Sequence, residues 1–216
     1  MNSRISFRIS VPDALILLSL IPVVAGMVRL TRLARGVAVT PENSRFFASP
    51  QPVIIHILSA SIFCIIGAFQ FAPDFRKRNP RWHRIAGRIL IVSGILAALS
   101  GIWMTQFYPL KPDLQGDLLF GLRYAFGSAM VLFIMLSFLA IRKGDVSQHK
   151  AWILRGYAIG QGAGTQALIL LPWTFIVGTP DIITYEMLMG LGWVINSVVA
   201  ERIIKTSNLD SKVLLN

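Results

Sequence analysis

Six apolar stretches, each about twenty residues long, constrain this chain more than any motif in it. They run at roughly 12–30, 53–73, 85–107, 117–141, 151–176 and 183–203, and a bilayer core takes about 20 apolar residues per crossing helix. Turn-forming segments separate them: TPENS at 40–44, APDFRKRNP at 72–80, YPLKPD at 108–113, RKGDVSQ at 142–148 and GTPD at 178–181. No soluble domain fits in those gaps. The predicted fold is therefore all-α, a single integral membrane bundle of six transmembrane helices, and a mean hydropathy of +0.63 with 14% charged residues agrees.

A net charge of +11 would point to nucleic acid if the basic residues formed a solvated face. Here they punctuate apolar runs, which excludes nucleic acid and makes anionic lipid headgroups the expected partner. If the termini share one side, that side holds 15 of the 21 Lys and Arg and has a net charge of +10, against +1 opposite. The positive-inside rule then puts both termini in the cytoplasm, as for a multi-pass protein of the cell inner membrane. Arg29, Arg32, Arg35 and Arg45 dissent, in a first loop long enough for a short amphipathic turn at the outer surface. Arg4 and Arg8 ahead of an apolar run also fit a signal sequence, but no small-x-small cleavage site follows, so a retained first helix is expected. The one cysteine, Cys64, lies in an apolar run and reads as a buried small hydrophobe.

Arg76, Lys77, Arg78, Arg81, Arg84 and Arg88 read as a loop gripping the inner leaflet, with Trp82 as its interfacial aromatic. That leaves His83 unexplained. His83 opens the third span and His149 the fifth, at similar depth on one side, while His56 lies toward the opposite face. Two neutral imidazoles on neighbouring helices at one depth are what axial ligation of a haem iron needs, and Arg84, Arg88 and Arg155 stand within reach of propionates. His83 and His149 are thus candidate iron ligands, and the arginines candidate cofactor-binding residues. For His56 the nearest polar candidates by depth are Arg123 and Tyr124.

Each histidine has a glycine eleven residues later: His56 with Gly67, His83 with Gly94, His149 with Gly160. Eleven residues is about three turns, so each glycine lies on its histidine's face about 16 Å deeper. Such a glycine admits a neighbouring helix or a flat macrocycle, and tight packing is the better supported of the two. Gly156, Gly160, Gly162 and Gly164 make the fifth span the expected centre of the bundle, ended or kinked by Pro172 near Trp173. Gln70, Gln161, Gln166, Asn196 and Glu186 are expected to bond across helices, and Glu201 with Arg202 to close the last span. GQGAG at 160–164 lies in an apolar helix and not after a strand, so it is no phosphate loop. Zincin, kinase and hydrolase motifs are absent.

GAFQF at 67–71, HRIAGR at 83–88, HKAWILRGYA at 149–158, WVIN at 193–196 and the Ala200-Glu201 pair together resemble a family of bacterial polytopic membrane proteins classified as a domain of unknown function. The resemblance runs from about His56 to Glu201 and implies a multi-helix membrane protein. Members usually carry a further arginine where this chain has Thr165 and Gln166. A looser likeness is to the ascorbate-linked transmembrane b-type cytochromes, whose four-helix core carries paired histidines. It implies one haem, on His83 and His149, because the span at 117–141 has no histidine. The functional expectation is a haem b redox protein exchanging electrons with quinone or a partner protein. The alternatives are a non-catalytic subunit or lipid-associated scaffold and, behind it, a small-solute transporter, for which no internal repeat is evident.

Overall fold

The computed structural model describes residues 10–109 and 116–213, with side chains as far as Ser207. Arg4, Arg8 and residues 110–113 of the 108–113 segment lie outside the described residues. The described chain is helical without strands: α1 (Val11–Ala34), α2 (Ser44–Ala48), α3 (Pro50–Ala68), α4 (Pro73–Arg78), α5 (Pro80–Phe107), α6 (Asp117–Arg142), α7 (Val146–Gly160), α8 (Gly162–Ile176) and α9 (Ile182–Val213). Five helical stretches are long and apolar enough to cross a membrane: Val11–Ala34, Pro50–Phe71, Pro80–Phe107, Asp117–Arg142 and Ile182–Ser207.

Local chemistry fixes the helix ends. Ser10 and Asp13 form a reciprocal capping box on α1, and prolines stand in the first turns of α3, α4 and α5, where a missing N–H costs nothing. Between α6 and α7 the chain reverses at Gly144, whose φ of 78° only glycine adopts freely. The expected outer turn is α2, which presents Phe46 inward.

The stretch expected as a fifth uniform span is two helices of 15 residues, α7 and α8, joined at Gln161. Gln161 has ψ near −3°, and glycines of low helix propensity flank it on both sides. The Gln161 amide donates to the Tyr157 hydroxyl at 2.7 Å, and that hydroxyl donates to the Cys64 carbonyl at 2.6 Å. Near the break, neighbouring helices supply further partners. Asn196 Nδ2 donates to the Ala158 carbonyl at 3.0 Å, and Cys64 Sγ to the Gly160 carbonyl at 3.5 Å. Broken helices survive in apolar surroundings when their backbone groups are met in this way. Pro172 does not end the helix near Trp173, since α8 runs on to Ile176.

The core is a layer shared by α3, α5, α6 and α7, made by Phe63, Leu90, Ala98, Met130, Ile134, Tyr157 and Ile159. Helix α1 packs on α3 and α8, and α9 packs on α6, α7 and α8. All three glycines placed eleven residues after a histidine serve this layer. A Cβ on Gly94 would meet Ile134 and Phe63 at 2.6 Å, one on Gly160 would meet Phe63 at 2.7 Å, and one on Gly67 would strike the Tyr157 ring. Their purpose is close helix packing. The α7–α8 glycines each face a different neighbour: Gly156 faces α6, Gly160 α3, Gly162 Trp193 of α9, and Gly164 the Leu18 carbonyl of α1. That segment is the hub of the bundle, as its glycine content predicts.

Candidate functional site

Chemistry-bearing residues collect at the two ends of the core layer. At one end α5 begins and α7 begins, which brings His83 and His149 together. The His149 imidazole and the guanidinium groups of Arg76 and Arg84 are electrostatic neighbours of His83. His149 is oriented from α6: its Nδ1 lies 3.1 Å from the Ser137 carbonyl and 2.8 Å from the Ser137 hydroxyl. A carbonyl can only accept, so Nδ1 carries a proton, and Nε2 is the nitrogen left to face the His83 side in the neutral ring. His83 Nδ1 is buried and has no hydrogen-bond partner in the protein. An orphaned buried nitrogen is costly unless a group from outside the chain meets it.

The three arginines expected beside this pair differ in their surroundings. Arg84 and Arg88 are exposed along α5. Arg155 forks onto Glu201 of α9, with Nε to Oε1 at 2.5 Å and Nη2 to Oε2 at 2.9 Å, and its guanidinium lies 4.6 Å from the Trp152 ring centre. The aromatic anchor is larger than Trp82 alone, because Phe69 and Phe75 meet its ring edge-on.

At the other end a cavity of about 420 Å³ opens between α1, α3, α5, α6, α8 and α9. His56 lines it. Its Nδ1 donates to the Ala97 carbonyl at 2.9 Å and lies 3.2 Å from Ser100 Oγ, and Gly101 leaves room for the ring. Arg123 lines the same cavity, with Tyr185, Glu186 and Arg45 as its charged or ionisable neighbours. Tyr124 turns elsewhere, its hydroxyl donating to Gln106 at 2.6 Å.

Sequence reasoning missed the construction at the cavity mouth. Arg29 of α1 and Arg45 of α2 both lie on the Phe46 ring, at 4.3 and 4.7 Å from its centre. Phe46 in turn meets Tyr108 edge-on, and the Tyr108 hydroxyl donates to the Ser49 carbonyl at 2.6 Å. Burial pushes the Tyr108 phenol up and the Arg45 guanidinium down from their ordinary ranges. The signal was present in the sequence, since Arg29 and Arg45 were two of the four arginines that broke the charge asymmetry.

The remaining buried polar groups are structural. Gln166 Nε2 donates to the Met189 carbonyl and Thr165 Oγ1 to Asn196 Oδ1, both at 2.8 Å. Glu186 is 4% exposed and accepts the Gly116 and Leu119 N–H groups, which caps α6. No group of three or more His, Cys, Asp or Glu side chains that could cage a bare metal ion occurs among the described residues.

The family model described as predicted membrane protein (DUF2306) matches residues 53–204, from the first turn of α3 into the charged end of α9. The chain belongs to that family, as its motifs led one to expect. No curated protein and no solved structure matches it.

Proposed function

We propose that this DUF2306 protein is a multi-pass inner-membrane redox protein that holds one b-type haem between His83 and His149 and exchanges electrons with quinone or a partner protein. In this reading α7 and α8 together make the sixth span, and the positive-inside rule puts both termini and the His83 end in the cytoplasm. The observation that carries the reading is the imidazole pair itself. One ring has its Nδ1 held by Ser137, the other has a buried nitrogen without a partner, and the two are electrostatic neighbours. An Nδ1–H bonded to a carbonyl is the usual support behind a ligating histidine, because it fixes the ring and raises the basicity of Nε2.

Bound there, a haem supplies one-electron transfer. The chain's own contribution is to orient: Ser137 fixes the His149 ring, and the ends of α5 and α7 hold the two rings at one depth. Arg84 and Arg88 are exposed and available to propionates, whereas Arg155 already holds Glu201. A second reading has one observation in its favour: Lys77, Arg78, Arg81, Arg84 and Arg88 are all exposed beside the Trp82 aromatic cluster, which suits a module bound to anionic headgroups.

A dithionite-reduced minus air-oxidised spectrum of the purified protein, expressed with ample haem, separates the two. The redox reading expects a b-type band near one haem per chain, lost in His83→Ala and His149→Ala and kept in His56→Ala. A flat spectrum rejects it and leaves the headgroup-binding module.

A further inference from the structure

The cavity at the His56 end plays no part in the haem reading, and its lining is chemically lopsided. Among the described residues no Asp or Glu lines it, while Arg29, Arg45 and Arg123 do. Two guanidinium groups share the one Phe46 ring, and Arg45 Nε is buried with no hydrogen-bond partner in the protein. Holding like charges together in a low-dielectric region is unfavourable, and an anion placed between them offsets that cost. Apart from His56, Thr105, Tyr108 and Gln166 the rest of the wall is mainly apolar, with Phe63, Phe126, Met130 and Trp193 running inward to the core layer.

We propose that this cavity binds an anionic amphiphile, its head on Arg29 and Arg45 and one of its apolar chains against Phe126 and Trp193. Guanidinium forks suit carboxylate and phosphate equally, so head chemistry admits a fatty acid or an acidic phospholipid. The volume, near the lower end of the 300–1,000 Å³ typical of small-molecule sites, suits one chain better than two. Ala163 has its exposed face on the cavity, at the start of α8, where a larger side chain would fill the space the ligand chain takes.

The test is scintillation-proximity binding of radiolabelled oleate to the full-length protein in maltoside detergent. Unlabelled oleate, oleyl alcohol, phosphatidic acid and a short-chain ubiquinone serve as competitors. Saturable oleate binding is expected, displaced by oleate and poorly by the alcohol, which has the same chain without the charge. Arg45→Gln should weaken it about tenfold, the usual worth of one charged hydrogen bond. Ala163→Leu, which leaves the arginines untouched, should weaken it comparably, so that a folding defect in one variant does not remove the test. Displacement by phosphatidic acid well below the oleate concentration assigns the same head chemistry to a membrane phospholipid. Equal displacement by alcohol and acid, displacement by the ubiquinone alone, or unchanged affinity in both variants overturns the proposal. Labelled oleate is counted independently of pigment, so a flat haem spectrum would leave this result intact.

Discussion

Replacing Gly160 by alanine should destabilise the protein, and the size of the effect follows from the position of one ring. A Cβ there would stand 2.7 Å from Phe63 Cε1 and 2.9 Å from Cδ1, whereas ordinary contacts begin at 3.4 Å. The ring must therefore retreat by several tenths of an ångström. Gly94 backs its other edge, where a Cβ would lie 2.6 Å from Cε2, so the ring can retreat only by tilting toward the cavity it floors. Phe63 is 1% exposed, and overpacking of such a site costs about 1–3 kcal/mol. Phe63→Leu shrinks the ring's volume and alone costs a partial cavity. In the double variant the new methyl fills part of that cavity, so the two costs should fall short of additive by about 1 kcal/mol. The assay is unfolding by sodium dodecyl sulfate in maltoside micelles, followed by circular dichroism, across the four-protein cycle. Gly160→Ala within about 0.3 kcal/mol of the parent, or strict additivity, refutes the clamp. Loss of pigment from Gly160→Ala without loss of stability would instead mean that the glycine faces a cofactor.

Other consequences are as direct. Glu186→Ala strips the α6 amides of Gly116 and Leu119 of their acceptor at a buried position and should cost about 1–3 kcal/mol in the same unfolding assay, part of it recovered by Glu186→Gln. Glu201→Gln should cost no more than about 1 kcal/mol, and less in high salt, because the side chains of the Arg155–Glu201 pair are 22% and 44% exposed. Asp181 accepts the Thr184 N–H at 2.8 Å, and that bond holds its carboxyl below the usual value of 3.8. Its folded form is the less easily protonated, so the support it gives α9 is complete above that value and lost as the pH falls through the lowered one. The pH dependence of fraying at the first turn of α9, read by hydrogen exchange, should therefore vanish in Asp181→Ala, where fraying is present at every pH. On the haem proposal, Ser137→Ala should leave haem content unchanged and shift the midpoint potential in a redox titration, since His149 keeps the carbonyl and loses the hydroxyl.

The helices were legible in the sequence because lipid demands a long apolar run and nothing else meets that demand. The loops were legible because proline, glycine and charge mark them. What hydropathy could not register was the break at Gln161, where Gly160, Gln161 and Gly162 are too few to interrupt an apolar window. Periodicity correctly found the faces of Gly67, Gly94 and Gly160, since a helical face is a one-dimensional property. The partners on those faces, Tyr157 and Phe63, depend on how α3, α5 and α7 pack, and no spacing within one helix encodes that. The same limit hid the Phe46 clamp. Arg29 and Arg45 lie on different helices, and only the fold of α2 against α1 brings both onto one ring. By contrast, that His83 and His149 are electrostatic neighbours could be expected from the sequence, because each stands just inside the start of a helix.

The position of the cavity bears on transport as well as on binding. It is lined by the later part of α1 and α5, the earlier part of α3, α6 and α9, and the α7–α8 junction, so it belongs to one half of the bundle. Its floor is Phe63 and Met130, members of the layer that continues through Ile134 and Tyr157 toward His149. A solute crossing to the His83 end would have to part Phe63 from Gly94 and Gly160 and pull the Tyr157 hydroxyl from the Cys64 carbonyl. Alternating access usually works by rocking one repeat against another around a polar midplane site. Here the layer between the two ends is closed by Phe63, Ile134 and Tyr157, and its glycines lock four helices to one another. The packing between the two ends thus weighs against passage of solute from one to the other, which neither the haem proposal nor the amphiphile proposal requires. The Phe63 cycle measures how firmly that division is kept.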